Sequence, residues 1–260
     1  MSPISRRSAL IALLAAGAAA CSPGPQDTVA PVTVFAAASL TDALTELGEI
    51  WRKKTGQDVR LSFAASGQIA RQVEAGAPAD MVILADEESM ARLDRLHRID
   101  AGSLARLLGN RLVLIAAPGT QIEGDPLVWL KRTGGKLVIG DPESVPAGAY
   151  AREWLQTRGD WNGLQSSIVT AADVRAVRGF VARGEAQLGI VYRSDVTGFA
   201  GARVVLEPPA AEQPVIVYPA AMLPNVPEAS RSFLRWLQTP EAGAVFRRHG
   251  FEPLSGQAWK

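Results

Sequence analysis

The feature that most constrains this chain is an alternation. Short apolar, β-rich runs are followed repeatedly by segments with helical spacing. "VTVFAA" leads into "TDALTELGEIWRKKTG", where Leu44, Leu47 and Trp51 share one helical face and Gly56 supplies a stop. "VRLSFAA" leads into "SGQIARQVEAG", "ADMVILAD" into "EESMARLDRLH", "KLVIGDP" into "AGAYAREWLQTRG", and "SSIVTAA" into "DVRAVRGFVARGEA". "RLVLIAAP", "LGIVY", "RVVLEPP" and "PVIVYPAAM" add strands, "LVWLKRTGG" adds a helix, and "PEASRSFLRWLQ" and "PEAGAVFRRHGF" close the chain as helices. A chain that alternates in this way folds as α/β, with mainly parallel sheet covered by helices. The number of units suits two small lobes better than one sheet. Ligands in such folds gather where strands end and helices begin.

Four such corners stand out: "AAAS" ending at Ser39, "AASG" around Ser66, "GDPESVPAG", and "AADV" ending at Val174. Each admits two readings. Ser39, with Asp42 three residues on, has the spacing of a capping box, and Ser66 before "GQIARQVEAG" has the look of a helix cap. Both serines also follow alanines, and small side chains leave the backbone open to a ligand. Pro146 is well placed at a helix start, and Ala147 and Gly148 behind it offer backbone N–H groups with little steric cover. Asp173 is a good N-cap, which makes Val174 the first helical residue. Val174 is a packing residue by side chain, so only its N–H could serve a ligand. Tyr192 ends another strand, where a phenol either packs or donates one more hydrogen bond.

Four helix N-termini aimed at one point make an anion site. Each carries roughly half a positive charge, so four sum to about two, nominally enough for a dianion. Charge-assisted hydrogen bonds contribute roughly 1.5–3 kcal/mol each, and no arginine is needed. Periodicity alone does not say whether the four corners converge.

What surrounds these corners counts against several classes. The 260 residues carry a formal net charge of +1, which argues against a nucleic-acid binder. The two histidines, His97 and His249, lie among arginines in "RLHR" and "RRHG" and read as solvated positions on amphipathic helices. A serine hydrolase would need one of them beside a nucleophile, and neither serine corner has the G-x-S-x-G elbow. No H-E-x-x-H, P-loop or G-x-G-x-x-G is present. Asp80, Asp86 and Glu87 flank a strand end, which is weak evidence for catalysis or a metal.

The N-terminus is a separate object. "MSPISRRSALIALLAAGAAAC" has a basic start at Arg6 and Arg7, an apolar run from Ala9, and small residues before Cys21. Residues 1–21 therefore read as an export signal, too short in its apolar run for a membrane span. The Arg6–Arg7 pair resembles a twin-arginine signal, and general secretory signals also carry two basic residues. Cys21 is the single cysteine, so an internal disulfide or cysteine-rich metal site is impossible. Its position resembles a bacterial lipoprotein cleavage site, with Ala18 where leucine is usual; ordinary cleavage beside it is the alternative. Residues 22–31 read as a Pro- and Gly-rich linker.

Taken in order, "TVFAAASLTDAL", "SFAASGQIARQVEAGAPADMVILAD", "LLGNRLVLIAAP", "GDPESVPAGAYA", "DVRAV" and "LGIVYRSD" resemble the molybdate-binding proteins of bacterial ABC importers, the ModA family. The resemblance runs from about Val32 to about Phe251. It implies the two-lobed periplasmic-binding-protein fold of type II, with the ligand in the cleft between lobes: residues 32–112 plus 215–260 in one, 113–214 in the other. It implies a neutral site in which Ser39, Ser66, the main chain of Ala147 and Val174, and Tyr192 surround one tetrahedral dianion, molybdate or tungstate. Ala65 departs from relatives that have another serine there, and Arg175 is expected to form ion pairs. The resemblance further implies a monomeric, exported receptor that works with a membrane permease. It would have no catalytic activity, no cofactor, no direct metal ligand and no nucleic-acid partner. The rivals are the same fold holding sulfate or an organic anion, a secreted serine hydrolase using Ser39 or Ser66, and a molybdate-sensing regulator. The export signal counts against a cytoplasmic regulator.

Overall fold

The computed structural model describes residues 30–254. The export signal, Cys21 and most of the linker lie outside the described residues.

The chain runs β1 Val32–Ala37, a 3-10 turn at Ala38–Leu40, α1 Thr41–Thr55, β2 Val59–Ala64, α2 Ser66–Glu74, β3 Met81–Ile83, α3 Glu87–Arg95 and β4 Ala105–Asn110. It continues through β5 Leu112–Ala116, α4 Pro126–Thr133, β6 Leu137–Gly140, α5 Pro146–Thr157, α6 Trp161–Leu164, β7 Ile168–Ala171, α7 Val174–Ala182, β8 Leu188–Tyr192, α8 Arg193–Val196 and β9 Arg203–Leu206. It then closes with β10 Ile216–Met222, α9 Glu228–Leu237, α10 Pro240–Arg248 and β11 Glu252–Pro253. The strand-then-helix alternation appears where the periodicity places it. β4 was not among the expected strands: its sequence, "ARLLGN", has neither β-branched residues nor a clean alternation.

The strands form two sheets. One is six-stranded in the order β11-β4-β10-β3-β1-β2, and the other is five-stranded in the order β7-β6-β8-β5-β9. Both are mixed. β2, β1 and β3 are mutually parallel, as are β7, β6 and β8, while β10 and β5 join their sheets antiparallel. One residue, Arg111, separates β4 in the first sheet from β5 in the second, and the chain returns between β9 and β10.

Helices cover both faces of the first sheet, and side-chain alternation shows how. In β3 and just past it, Met81 and Ile83 belong to the large core shared with α1 and α9, whereas Val82 and Leu84 belong to a smaller cluster with Ile69, Val73, Met90 and Leu93 of α2 and α3. On α1, Leu44, Leu47 and Trp51 are buried at helical spacing. Trp51 meets Phe233 and Trp236 of α9 at ring distances of 5.4 and 5.3 Å. Each fully buried leucine of this kind is worth roughly 1.5–3 kcal/mol.

Candidate functional site

Parallel pairing brings the corners together two at a time. Ala37 at the end of β1 is paired with Ala64 at the end of β2, so the Ser39 and Ser66 corners lie side by side. Gly140 at the end of β6 is paired with Ala171 at the end of β7, which sets the α5 and α7 corners side by side. The two pairs face each other. Ala37, Ala38, Ser39, Ala64, Ala65, Ser66 and Ala85 line a small cavity from one sheet, and Val145, Pro146, Asp173 and Val174 line it from the other. The cavity volume is only about 10 Å³, so it suits only a compact ligand.

The capping readings of Ser39 and Ser66 fail, for a local reason. Ala37 (ψ 139°) and Ala65 (ψ 143°) carry the extended backbone of the N-cap position, which puts each serine one or two residues inside its helical turn. From there the hydroxyl cannot reach back to its own N–H groups. Ser39 Oγ instead lies 2.9 Å from the Tyr218 hydroxyl, and Ser66 Oγ accepts from the Ala85 N–H at 2.9 Å. Asp42, the supposed second half of the box, pairs with Arg175 at 3.0 Å across the two sheets, as expected of Arg175. Burial pushes the Asp42 carboxyl up, but the hydrogen bond and charge of Arg175 outweigh it and hold the group below its ordinary range.

The other two corners follow expectation more closely. Pro146 opens α5, and Val174 opens α7 behind Asp173, whose Oδ1 accepts from the Ala176 N–H at 2.8 Å. Ala147 follows directly on Pro146 with its side chain wholly buried. Gly148 departs from expectation: its N–H donates to the Val145 carbonyl at 2.8 Å and is not free. It is glycine because a Cβ there would meet the Gly140 carbonyl oxygen at 2.0 Å. Among the described residues, the N–H groups of Ser39, Ser66, Ala147 and Val174 have no acceptor. Tyr192, at the end of β8, is 1% exposed, and its hydroxyl has no partner among the described residues. Burial pushes its ionisation well above the ordinary value, so it remains a donor. Its ring lies 5.7 Å from that of Tyr218, behind the Ser39 corner.

Thus Ser39, Ser66 and Val174 line one cavity, Ala147 adjoins it and Tyr192 stands behind it. No lysine or arginine lines it, and Asp173 is the one charged lining residue. Sequence reasoning missed Ala85, Asn110 and Tyr218. Asn110 Nδ2 donates to the Ser194 hydroxyl at 2.9 Å and to the Tyr218 hydroxyl at 3.2 Å, and Asn110 Oδ1 accepts from the Arg111 N–H at 2.9 Å. None of these long-range pairings has a sequence signal. Asp195, also buried, accepts from the Tyr192 N–H at 3.0 Å; burial pushes its carboxyl up to about 7 against the pull of that bond and of Arg178.

The hydrolase reading finds no support in this geometry. His249 bonds Glu46 at 2.7 Å, and His97 sits in a left-handed turn (φ 51°) just after α3; neither lines the cavity. Both lie past the ends of their helices, not on them. Asp80 accepts from the Thr33 N–H, and Asp86 caps α3 through Ser89. Among the described residues no group of three His, Cys, Asp or Glu side chains could hold a metal ion.

Two sheets that meet at a small ligand-sized cavity, with donors from both, define a solute-binding protein. The profile of the bacterial extracellular solute-binding proteins matches residues 32–252, and the chain belongs to that family. Within it, the chain is 41% identical over 227 residues to the molybdate-binding protein ModA of Escherichia coli, covering 85% of this chain and 88% of that one. It is 32% identical to the putative ABC transporter substrate-binding lipoprotein YvgL of Bacillus subtilis, covering 85% of each. The solved periplasmic molybdate-binding protein of Azotobacter vinelandii superposes with a TM-score of 0.76 at 28% identity, covering 85% of this chain and 98% of that one. These relatives are binding proteins, not enzymes.

Proposed function

We propose that this chain is an extracytoplasmic receptor that captures molybdate, and tungstate with it, and hands it to an ABC permease without chemical change. The observation that carries this reading is the cavity itself: unpaired N–H and O–H donors from both sheets meet there without a basic side chain. Ser39, Ser66, the N–H groups of Ala147 and Val174, and the Tyr192 hydroxyl are the proposed ligand contacts. Residues 32–112 plus 215–260 and residues 113–214 are the proposed lobes that close on it. The receptor acts as a monomer, is exported, and has Cys21 as its candidate lipid attachment, a reading supported by the lipoprotein relative.

Size separates the ligands. Molybdate and sulfate are both tetrahedral dianions, so charge does not distinguish them. A ring of donors spaced for the larger ion leaves sulfate short of some of them, and unfilled donors in a closed cleft are costly. The small cavity also disfavours an organic anion. Thermal melting tests the reading. At a hundredfold excess over Kd a ligand stabilises by about 2.7 kcal/mol, or roughly 5–10 °C for a chain of this size. Molybdate and tungstate are expected to give such a shift and sulfate, at the same concentration, almost none. An equal shift from sulfate overturns the assignment.

A further inference from the structure

Ser39 does not stand alone at the cavity wall. Its hydroxyl is the end of a buried chain of side-chain hydrogen bonds that starts where the polypeptide passes from the first sheet to the second. Asn110 is the last residue of β4, and the Arg111 N–H that bonds its Oδ1 lies in the single-residue crossing to β5. That bond fixes the amide orientation: with oxygen and nitrogen exchanged, two donors would face each other. Nδ2 therefore points its two hydrogens at the Ser194 and Tyr218 hydroxyls. The Tyr218 oxygen accepts from Asn110, and its own proton needs an acceptor. Among the described residues its remaining partner is Ser39 Oγ, at 2.9 Å. Tyr218 is fully buried, and burial pushes its ionisation well above the ordinary value, so the proton stays in place. Ser39 Oγ then accepts, and the serine proton is left over. Ser66 is arranged in the same way by a shorter route, since its Oγ accepts the Ala85 N–H and its proton is also left over.

We infer that Asn110 and Tyr218 are positioning residues: they set the direction of the Ser39 hydroxyl so that it acts as a hydrogen-bond donor to an oxyanion in the cavity. The inference rests on the site proposed above. A serine free to rotate would have to be reoriented when the ligand arrives; here the acceptor side is already filled. Chained hydrogen bonds also polarise one another, which strengthens the terminal donor. Asn110 thereby links Tyr218 of β10 to Ser194 of α8.

A double-mutant cycle on molybdate affinity tests this, with Ser39→Ala, Tyr218→Phe and their combination measured by calorimetry. Tyr218→Phe removes one oxygen and keeps the ring packing against Tyr192 and Phe251. Alone it is expected to weaken binding about 2- to 10-fold, the range of one neutral hydrogen bond, and Ser39→Ala by at least about tenfold. In the Ser39→Ala background, Tyr218→Phe is expected to cost nothing further, because a residue that acts through Ser39 has nothing left to orient. Asn110→Ser enters the same cycle as a second variant should Tyr218→Phe fail to fold. Equal losses in both backgrounds, or no loss in the wild-type background, overturn the inference and leave the site intact. A Ser39→Ala variant with undiminished affinity overturns the site as well.

Discussion

The small cavity and the wide cleft beside it share Val145 and Pro146 and little else. The cleft, between α2, α3 and α5, measures about 520 Å³ and is lined by Arg71, Arg92, Arg95 and Arg152 together with Glu87, Glu88, Glu143 and Glu153. A search for an anion site by positive charge would stop there. Yet two of its arginines are already engaged: Arg152 pairs with Glu143 of the cleft at 2.6 Å, and Arg92 with the neighbouring Glu74 at 2.7 Å. The small cavity has no cation and keeps its donors unpaired. The proposed site therefore relies on unmet hydrogen bonds held out of water and not on formal charge, because exposed charges are already solvated.

The sharpest contrast concerns the acids. Glu143 in the wide cleft is 77% exposed, whereas Asp195 behind the small cavity is buried. Its carboxyl, held at about 7, lies above the ordinary value near 3.9. The folded state then keeps a proton that the unfolded chain loses, so stability falls as pH rises from about 4 through about 7 and levels off above. Three units correspond to about 4 kcal/mol. Asp195→Asn is expected to melt several degrees above the wild type at pH 7.5, with the two converging near pH 4. Parallel melting curves across that range would show that Asp195 is not held protonated.

A smaller effect is expected at the seam between the two regions. A Cβ on Gly67 would lie 2.8 Å from the Ser144 carbonyl oxygen, across the two sheets. Gly67→Ala must push the α5 corner away from the α2 corner, and overpacking of this kind costs typically about 1–3 kcal/mol. Under the proposed closing of the lobes, that strain falls on the closed form, so molybdate affinity is expected to drop about 10- to 100-fold with little change in the melting of the ligand-free protein. Unchanged affinity would mean that closure does not need this contact. The smallest effect belongs to the wide cleft: Arg152→Ala is expected to change affinity less than about twofold, as for an exposed ion pair. A larger loss by calorimetry would give the cleft a part in ligand capture and collapse the contrast.

Much of this was legible in the sequence. The helix starts at Pro146 and Val174, the Asp173 cap, the stop at Gly56 and the strand end at Tyr192 all rest on local backbone chemistry, and the structure has them in place. The serines show where local reading fails. Their spacing before a helix is that of a cap, but whether a hydroxyl caps depends on which residue carries the extended backbone, and Ala37 and Ala65 do so. β4 was missed because its two antiparallel neighbours, not its composition, hold it in the sheet.

What the sequence by itself determined, then, is a set of strand-to-helix corners with small residues and free N–H groups, since propensity, capping and steric size act over a few residues. Pairing within each sheet set these corners side by side in twos. Only the tertiary structure decided that the two pairs face each other, that Tyr218, 179 positions from Ser39, lies within hydrogen-bond reach of its hydroxyl, and that Asp195 is closed off from water. Those outcomes depend on which surfaces the two sheets bury against each other, a property of the packed whole that no short window of residues carries.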